Sequence, residues 1–238
     1  MEGNGNVIPQ NQHLRFGALV FPGMDQIDLT GPFEVLSQVP NSSFRHFWKN
    51  REPIRDVKGL ILTPDATFAE AGPVDVLVVP GGFGQEELME DESVLRFLRD
   101  RARSAKYVFS ICTGALICGA AGLLREVKAT THWASFHLLE HFGASPVRAR
   151  VVVDGKHISA AGVTAGIDGA LRLASLLRGD RVAEAIQLAI EYAPDPPFQS
   201  GTPEAATREV REAVEELFRP MAERRLATAR RFRAKFGT

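Results

Sequence analysis

The chain has 238 residues, is 45% hydrophobic, and sets 28 Lys plus Arg against 29 Asp plus Glu for a formal net charge of −1. It can therefore bury one full core, and it has no basic field to draw nucleic acid or an anionic membrane, so neither is an expected partner. Its two cysteines, Cys112 and Cys118, fit no zinc or redox spacing, Met1 to Arg15 lacks a signal-peptide core, and no apolar run could span a bilayer; the expected compartment is the cytoplasm.

Residues 1–14 read as a disordered or extended lead, 15–203 as one α/β domain, and 204–238 as a helical arm. Phe16 to Phe21 is a short apolar run closed by Pro22-Gly23, the form of a strand buried on both faces. A loop and helix over Asp25 to Val39 follow, then a strand at Phe44 to Trp48 and a hairpin excursion between Ile54 and Phe68. Val74 to Val79 is a second central strand, ended by Pro80-Gly81-Gly82, and Gln85 to Ala105 has helical periodicity.

Tyr107 to Ile111 reads as a third buried strand and Thr113 to Leu124 as a tightly packed, small-residue helix, with Cys112 at the join. Further on come a short strand at Lys128 to Thr131, a helix over His132 to Phe142, and a strand pair from Val147 to Ala160 that turns at Asp154-Gly155-Lys156. Helices over Thr164 to Arg178 and Arg181 to Tyr192 precede a breaker-rich link from Pro194 to Pro203. The last segment, Glu204 to about Phe236, is an Arg-rich helix expected to be a solvated arm on the body or on a partner subunit. This alternation predicts a three-layer α/β sandwich around a central, mostly parallel sheet, as in flavodoxin-like folds.

Cys112 is the candidate nucleophile. A side chain on a strand-to-helix turn projects into the crevice where open α/β sheets bind ligands, and the helix start offers free N–H groups that favour a thiolate. The expectation is a markedly acidic thiol. Cys118, set among Ala, Leu and Ile, reads as core filler.

Several segments together carry a resemblance: Phe21-Pro22-Gly23 with Leu29-Thr30-Gly31-Pro32, Val79-Pro80-Gly81-Gly82, Ser110-Ile111-Cys112-Thr113-Gly114, Ala120 to Leu124, and Ala129-Thr130-Thr131-His132-Trp133. From about Phe16 to Leu177 the chain resembles the PfpI-like branch of the class I glutamine-amidotransferase-like superfamily. Within it, Asp28 in Gln26 to Pro32, Thr113 directly after the cysteine, and Glu191 to Phe198 are similar to the isonitrile (isocyanide) hydratases. That resemblance implies a hydro-lyase that turns an isonitrile and water into an N-substituted formamide, with no cofactor or metal expected; the apolar small-residue helices and the long terminal arm after a proline-rich link lead to the expectation of a homodimer.

An isonitrile carbon is a weak base that becomes a strong electrophile once protonated, so its hydration needs an acid aimed at that carbon and a nucleophile beside it. Cys112 would add as thiolate while Asp28, placed in the first strand–helix loop, delivers the proton and later serves as base. Asp28 then needs a raised pKa; its alternative role is a helix cap. Thr113 offers a hydroxyl and an N–H, and Gly82 an N–H for the sulfur or a developing charge. Gln26, Gly162, Val163 and Phe198 are candidate substrate-binding residues, and His132 stands open between a base for the cysteine and a structural role.

Neighbouring branches fit less well. Glutamine hydrolysis needs a His-x-Glu that none of the six histidines provides, the protease branch has histidine where Thr113 stands, and the deglycase or chaperone branch has glutamate where Asp28 stands. A ligand-sensing domain like that of AraC-type regulators is the alternative from another class.

Overall fold

Extended apolar segments can bury both faces only inside a sheet covered by helices, and this dictates the arrangement in the computed structural model, which describes residues 7–236. The elements run in chain order as β1 (Leu14–Leu19), α1 (Gln26–Leu36), β2 (Ser42–Trp48), β3 (Ile54–Arg55), β4 (Ile61–Leu62), β5 (Ala66–Thr67) and β6 (Val76–Val79). They continue with α2 (Gln85–Leu88), α3 (Glu92–Ser104), β7 (Tyr107–Ile111), α4 (Gly114–Ala120), β8 (Lys128–Ala129), a 3-10 helix (Trp133–Phe142) and β9 (Ser145–Pro146). The remainder is β10 (Val151–Asp154), β11 (His157–Ala160), α5 (Ala165–Arg178), α6 (Asp180–Ala189) and α7 (Arg208–Phe236).

Seven strands form one sheet in the order β10-β11-β7-β6-β1-β2-β5, parallel throughout except for the β10–β11 hairpin. Helices α1, α5 and α6 pack together on one side, and α2, α3, α4, the 3-10 helix and α7 on the other. β6 is buried along its whole length and β1, β7 and β11 along most of theirs, with Phe16, Leu19, Leu77, Phe109 and Ile111 at the centre of the core. Chain direction across the sheet reverses between β1, whose successor β2 lies on one side, and β6, which lies on the other. A crevice opens at such a switch point, beyond the C-terminal ends of the strands.

Several expected boundaries shift, each for a local reason. The helix after Cys112 stops at Ala120, not Leu124, because Gly122 (φ 77°) takes the left-handed position of a Schellman turn: its N–H donates to Gly119 O at 2.8 Å and that of Leu123 to Cys118 O at 3.0 Å. The helical stretch from Gln85 to Ala105 is two helices, because the Asp91 carboxylate accepts from the N–H groups of Ser93 and Val94 and starts α3 afresh. Of the N-terminal lead, residues 1–6 lie outside the described residues. Beyond them Arg178 clamps the backbone, donating to Ile8 O at 2.9 Å, Pro9 O at 2.6 Å and Gln12 O at 2.6 Å. None of the helices among the described residues is long and apolar enough to cross a membrane.

Candidate active site

The turn between β7 and α4 holds Cys112 at φ 53°, a left-handed conformation that a non-glycine residue keeps only when its surroundings impose it. They do so from both sides. The Cys112 N–H donates to Ala160 O at 3.0 Å, and the Thr131 hydroxyl donates to Cys112 O at 2.7 Å. Gly114 lets α4 start hard against the neighbouring strand, since a Cβ there would lie 2.0 Å from Val79 O. The thiol is thereby aimed into the crevice at the end of β7 while remaining only 6% exposed.

Asp28 reaches the same point from α1. That helix begins at Gln26 and is capped by Asp25, whose carboxylate accepts the Ile27 N–H at 3.1 Å. Asp28 therefore lies in the first helical turn, neither in the preceding loop nor at the cap, and its side chain is directed inward with no solvent exposure. Its Oδ2 accepts the Gly81 N–H at 2.8 Å. Its Oδ1 has no partner of ordinary hydrogen-bond geometry, while the Cys112 thiol is a weak polar partner of the carboxyl. Burial raises this carboxyl to about 8, and the charge of Asp25 adds to the shift against the opposing hydrogen bonds.

The thiol departs from expectation. Burial pushes Cys112 well above the ordinary cysteine value, and the Asp28 charge pushes the same way; the N–H groups of Val163 and Thr113, then Arg225, oppose them. A helix start alone does not acidify this cysteine. Carboxyl and thiol form one coupled pair in a dry site, where two adjacent negative charges are excluded and a single one is the most the pair carries.

The donors at the sulfur also differ in part from those expected. The Gly82 N–H, a candidate for that place, is occupied by the Thr113 hydroxyl, with N to Oγ1 at 3.1 Å. The backbone N–H groups of Thr113 and Val163 bond the sulfur instead. Val163 does so from φ 28°, a strained conformation for a β-branched residue.

A cavity of about 80 Å³ ends at Cys112 and Thr113. Asp25, Gly82, Phe83, His132, Ala134 and Val163 form much of its wall, and the remainder comes from the far end of the chain: Phe218, Met221 and Arg225 of α7. The Asp28 carboxyl does not line the cavity; it is fully buried behind the wall, beside the thiol. Helix α7 packs along the 3-10 helix of its own body, tied by ion pairs from Arg224 to Glu86 (3.0 Å) and Arg231 to Glu90 (2.9 Å). Phe218 sits edge-on to His132 at 5.5 Å between ring centroids and to Phe83 at 6.3 Å. Sequence reasoning missed these three residues. The signal available was the three-to-four spacing of Phe218, Met221, Arg225, Ala229 and Phe232, which marks one face of a helix.

His132 lines the cavity as a neutral ring, lowered to about 4 by burial and by Arg225, and its Nδ1 accepts the Ala134 N–H at 3.3 Å to start the 3-10 helix. Gly162 packs against that ring, where a Cβ would meet Cδ2 at 3.0 Å. Gln26 turns along α1, accepting the Thr30 hydroxyl at 2.7 Å, and Phe198 stands 78% exposed on the link before α7, so neither is brought to the cavity. Cys118 is fully buried in α4.

Residues 17–176 match the DJ-1/PfpI family model. A curated protein of Pseudomonas putida named isonitrile hydratase is 46% identical over 222 residues, covering 93% of this chain and 97% of that protein. A solved structure of a ThiJ/PfpI family protein from Pseudomonas syringae superposes with a TM-score of 0.90 at 39% identity, covering 96% of this chain and 97% of that one. The transcriptional regulator GbdR of Pseudomonas aeruginosa is 29% identical over 76% of this chain, which spans only 51% of that regulator. With its elbow cysteine at the C-terminal end of β7 in a mostly parallel sheet, and with a family match over most of its length, this chain belongs to the DJ-1/PfpI family.

Proposed function

We propose that this protein is an isonitrile hydratase, a hydro-lyase that adds water to an isonitrile to give an N-substituted formamide, with Cys112 as nucleophile and Asp28 as acid and base. The observation that carries the reading is the buried pair: a carboxyl raised to about 8, and so protonated at neutral pH, in contact with the thiol of an elbow cysteine. Similarity to the P. putida hydratase along nearly the whole of both chains supports the same chemistry.

The cycle starts from the singly ionised pair with the charge on sulfur and the proton on Asp28, the minor tautomer of that pair because the carboxyl otherwise ionises before the thiol. Sulfur bonds to the terminal carbon of R–NC and the Asp28 proton goes to that carbon, giving the thioimidate R–N=CH–S–Cys112 and leaving a carboxylate. A carbon attached to this sulfur is necessarily near the carboxyl that contacts it, which is why an acid behind the cavity wall can still serve. Asp28 next takes a proton from water as the oxygen attacks, and returns it to nitrogen. The tetrahedral adduct then expels thiolate, gives its hydroxyl proton to Asp28 and leaves as R–NH–CHO.

The N–H groups of Thr113 and Val163 hold the sulfur through these charge changes. Thr113 also fixes Gly82 by its hydroxyl. Phe83, Phe218 and Met221 give the cavity an apolar side suited to an uncharged R group. A homodimer is part of this reading, with exposed Leu188, Phe198 and Leu217 available to it, and two unpaired cysteines fit a reducing cytoplasm.

The test is formamide release from cyclohexyl isocyanide by wild type and Cys112→Ala. Turnover by the first and none by the second is expected. No turnover by wild type across simple alkyl and aryl isocyanides would favour a ligand-sensing role.

A further inference from the structure

We propose that Arg225, carried into the site by the C-terminal helix, is the positioning residue whose charge lets Cys112 ionise, so that α7 is part of the active site and not an appendage. The inference rests on Cys112 being the reactive nucleophile, as in the function proposed above.

Arg225 is set apart from the other arginines of its helix. Arg224, Arg230, Arg231 and Arg233 are exposed, whereas Arg225 is 6% exposed and borders the same cavity as Cys112. Arg224 and Arg231 reach carboxylates on the body. Among the described residues no carboxylate lies within ion-pair distance of Arg225. Its Nη2 donates to Gly82 O at 2.9 Å and its Nη1 to Ser135 Oγ at 3.2 Å, both neutral acceptors, and its Nε is buried without a partner.

A buried cation left without an anion is costly, and a neutral side chain of similar length would fill the space at less expense. The cost makes sense if an anion appears in the cavity during the reaction. The thiolate is such an anion, and it needs help because it faces the Asp28 carboxyl from α1. Arg225 answers from the cavity it borders together with Cys112, through space and through Gly82, which it shares with the Thr113 hydroxyl. The other charged or titratable groups around Arg225 are Glu86 on α2, Arg224 on its own helix and His132, which is held neutral. Burial draws the guanidinium down to about 10, still protonated at neutral pH, with the Cys112 charge the leading influence the other way.

The experiment follows the rate of Cys112 carboxamidomethylation by iodoacetamide against pH, read by peptide mass, in wild type, Arg225→Lys, Arg225→Gln and Arg231→Gln. The Gln variant can keep a hydrogen bond to Gly82 or Ser135 but not the charge. Its alkylation midpoint should move to higher pH, with the neutral-pH rate down about tenfold, the change carried by one unit of pKa. Arg225→Lys should keep most of the wild-type profile, and Arg231→Gln, which loosens the arm away from the cavity, should leave it unmoved. With cyclohexyl isocyanide, kcat should fall in step with the thiolate fraction while KM changes little.

Coincident midpoints for wild type and Arg225→Gln would overturn the proposal and leave Arg225 a strut. An equal shift in Arg231→Gln would overturn it too, because the effect would then belong to the packing of α7. Loss of binding of a carboxylate-bearing isonitrile in Arg225→Gln, without a midpoint shift, would make the arginine a substrate anchor instead. If the Gln variant does not fold, Arg225→Met carries the same expectation. Alkylation needs no isonitrile, so a midpoint shift without hydratase turnover would sink the proposed function and leave this inference standing.

Discussion

Cys112 and Cys118 belong to one strand–turn–helix unit, are both buried, and both have thiols pushed up by burial, Cys118 to about 12. What separates them is polar company. Desolvation alone acts on Cys118, inside α4 with apolar neighbours, and nothing there compensates a thiolate. Cys112 has two N–H donors, a carboxyl that can hold a proton and a guanidinium across the cavity. Burial makes both sulfurs inert by default, and only Cys112 has fixed dipoles and a positive charge that oppose that penalty.

The comparison breaks most sharply by substitution. Cys112→Ala should abolish formamide production, whereas Cys118→Ala should retain it at a stability cost of about 1 kcal/mol from the small volume lost. Retained turnover in the first variant would remove Cys112 from the chemistry. Next comes Asp28→Asn, expected to lower kcat at least about a hundredfold, the scale of a positioned acid–base group, while Cys112 stays alkylatable. In wild type the reactive, singly ionised pair forms as the first proton leaves it, so the rate should rise as pH climbs through about 8. A near-normal rate in Asp28→Asn would leave the pair without catalytic meaning.

Labelling should separate the two cysteines by at least about tenfold, because Cys112 borders a cavity and Cys118 has no exposure. Equal modification of both in native protein, read by mass mapping, would contradict this. A last effect is on stability. The Asp28 pKa is higher folded than unfolded, so its stabilising contribution is complete below the unfolded value of about 3.9 and drains away as pH rises towards about 8. Asparagine pays no such penalty. Asp28→Asn should therefore unfold at a higher temperature than wild type at neutral pH, with a ceiling of about 4 kcal/mol and little difference near pH 4. An Asn variant less stable at pH 7 than at pH 4, relative to wild type, would contradict the buried neutral carboxyl.

How far the site was legible follows the range of the interactions that build it. The elbow was readable because an apolar strand, one polar residue and a small-residue helix are consecutive, and the glycine that permits their close approach is adjacent to them. Asp28 was identified but misplaced, since Asp25 took the cap and started the helix three residues earlier, turning Asp28 inward. Gly82 was singled out for its N–H, yet only the folded contact with Thr113 reveals that this N–H is already engaged. Phe198 shared a motif with functional relatives and still faces solvent, because motif membership carries no direction.

By itself the sequence determined the strand–helix alternation and the central sheet, because these rest on periodicity and on neighbours along the chain; it singled out Cys112 by its place between strand and helix, and Asp28 by resemblance. Tertiary structure decided the rest. The direction of the Cys112 shift reversed because desolvation sums over every atom packed around the sulfur, while the helix-start effect that favours thiolate is a property of a few adjacent N–H groups. The cavity's far wall came from α7, whose return to the body depends on ion pairs and ring contacts with segments remote in the chain. An arginine in a charged helix reads as solvated until packing takes its water away, and only the fold shows that Arg225 is the one so treated.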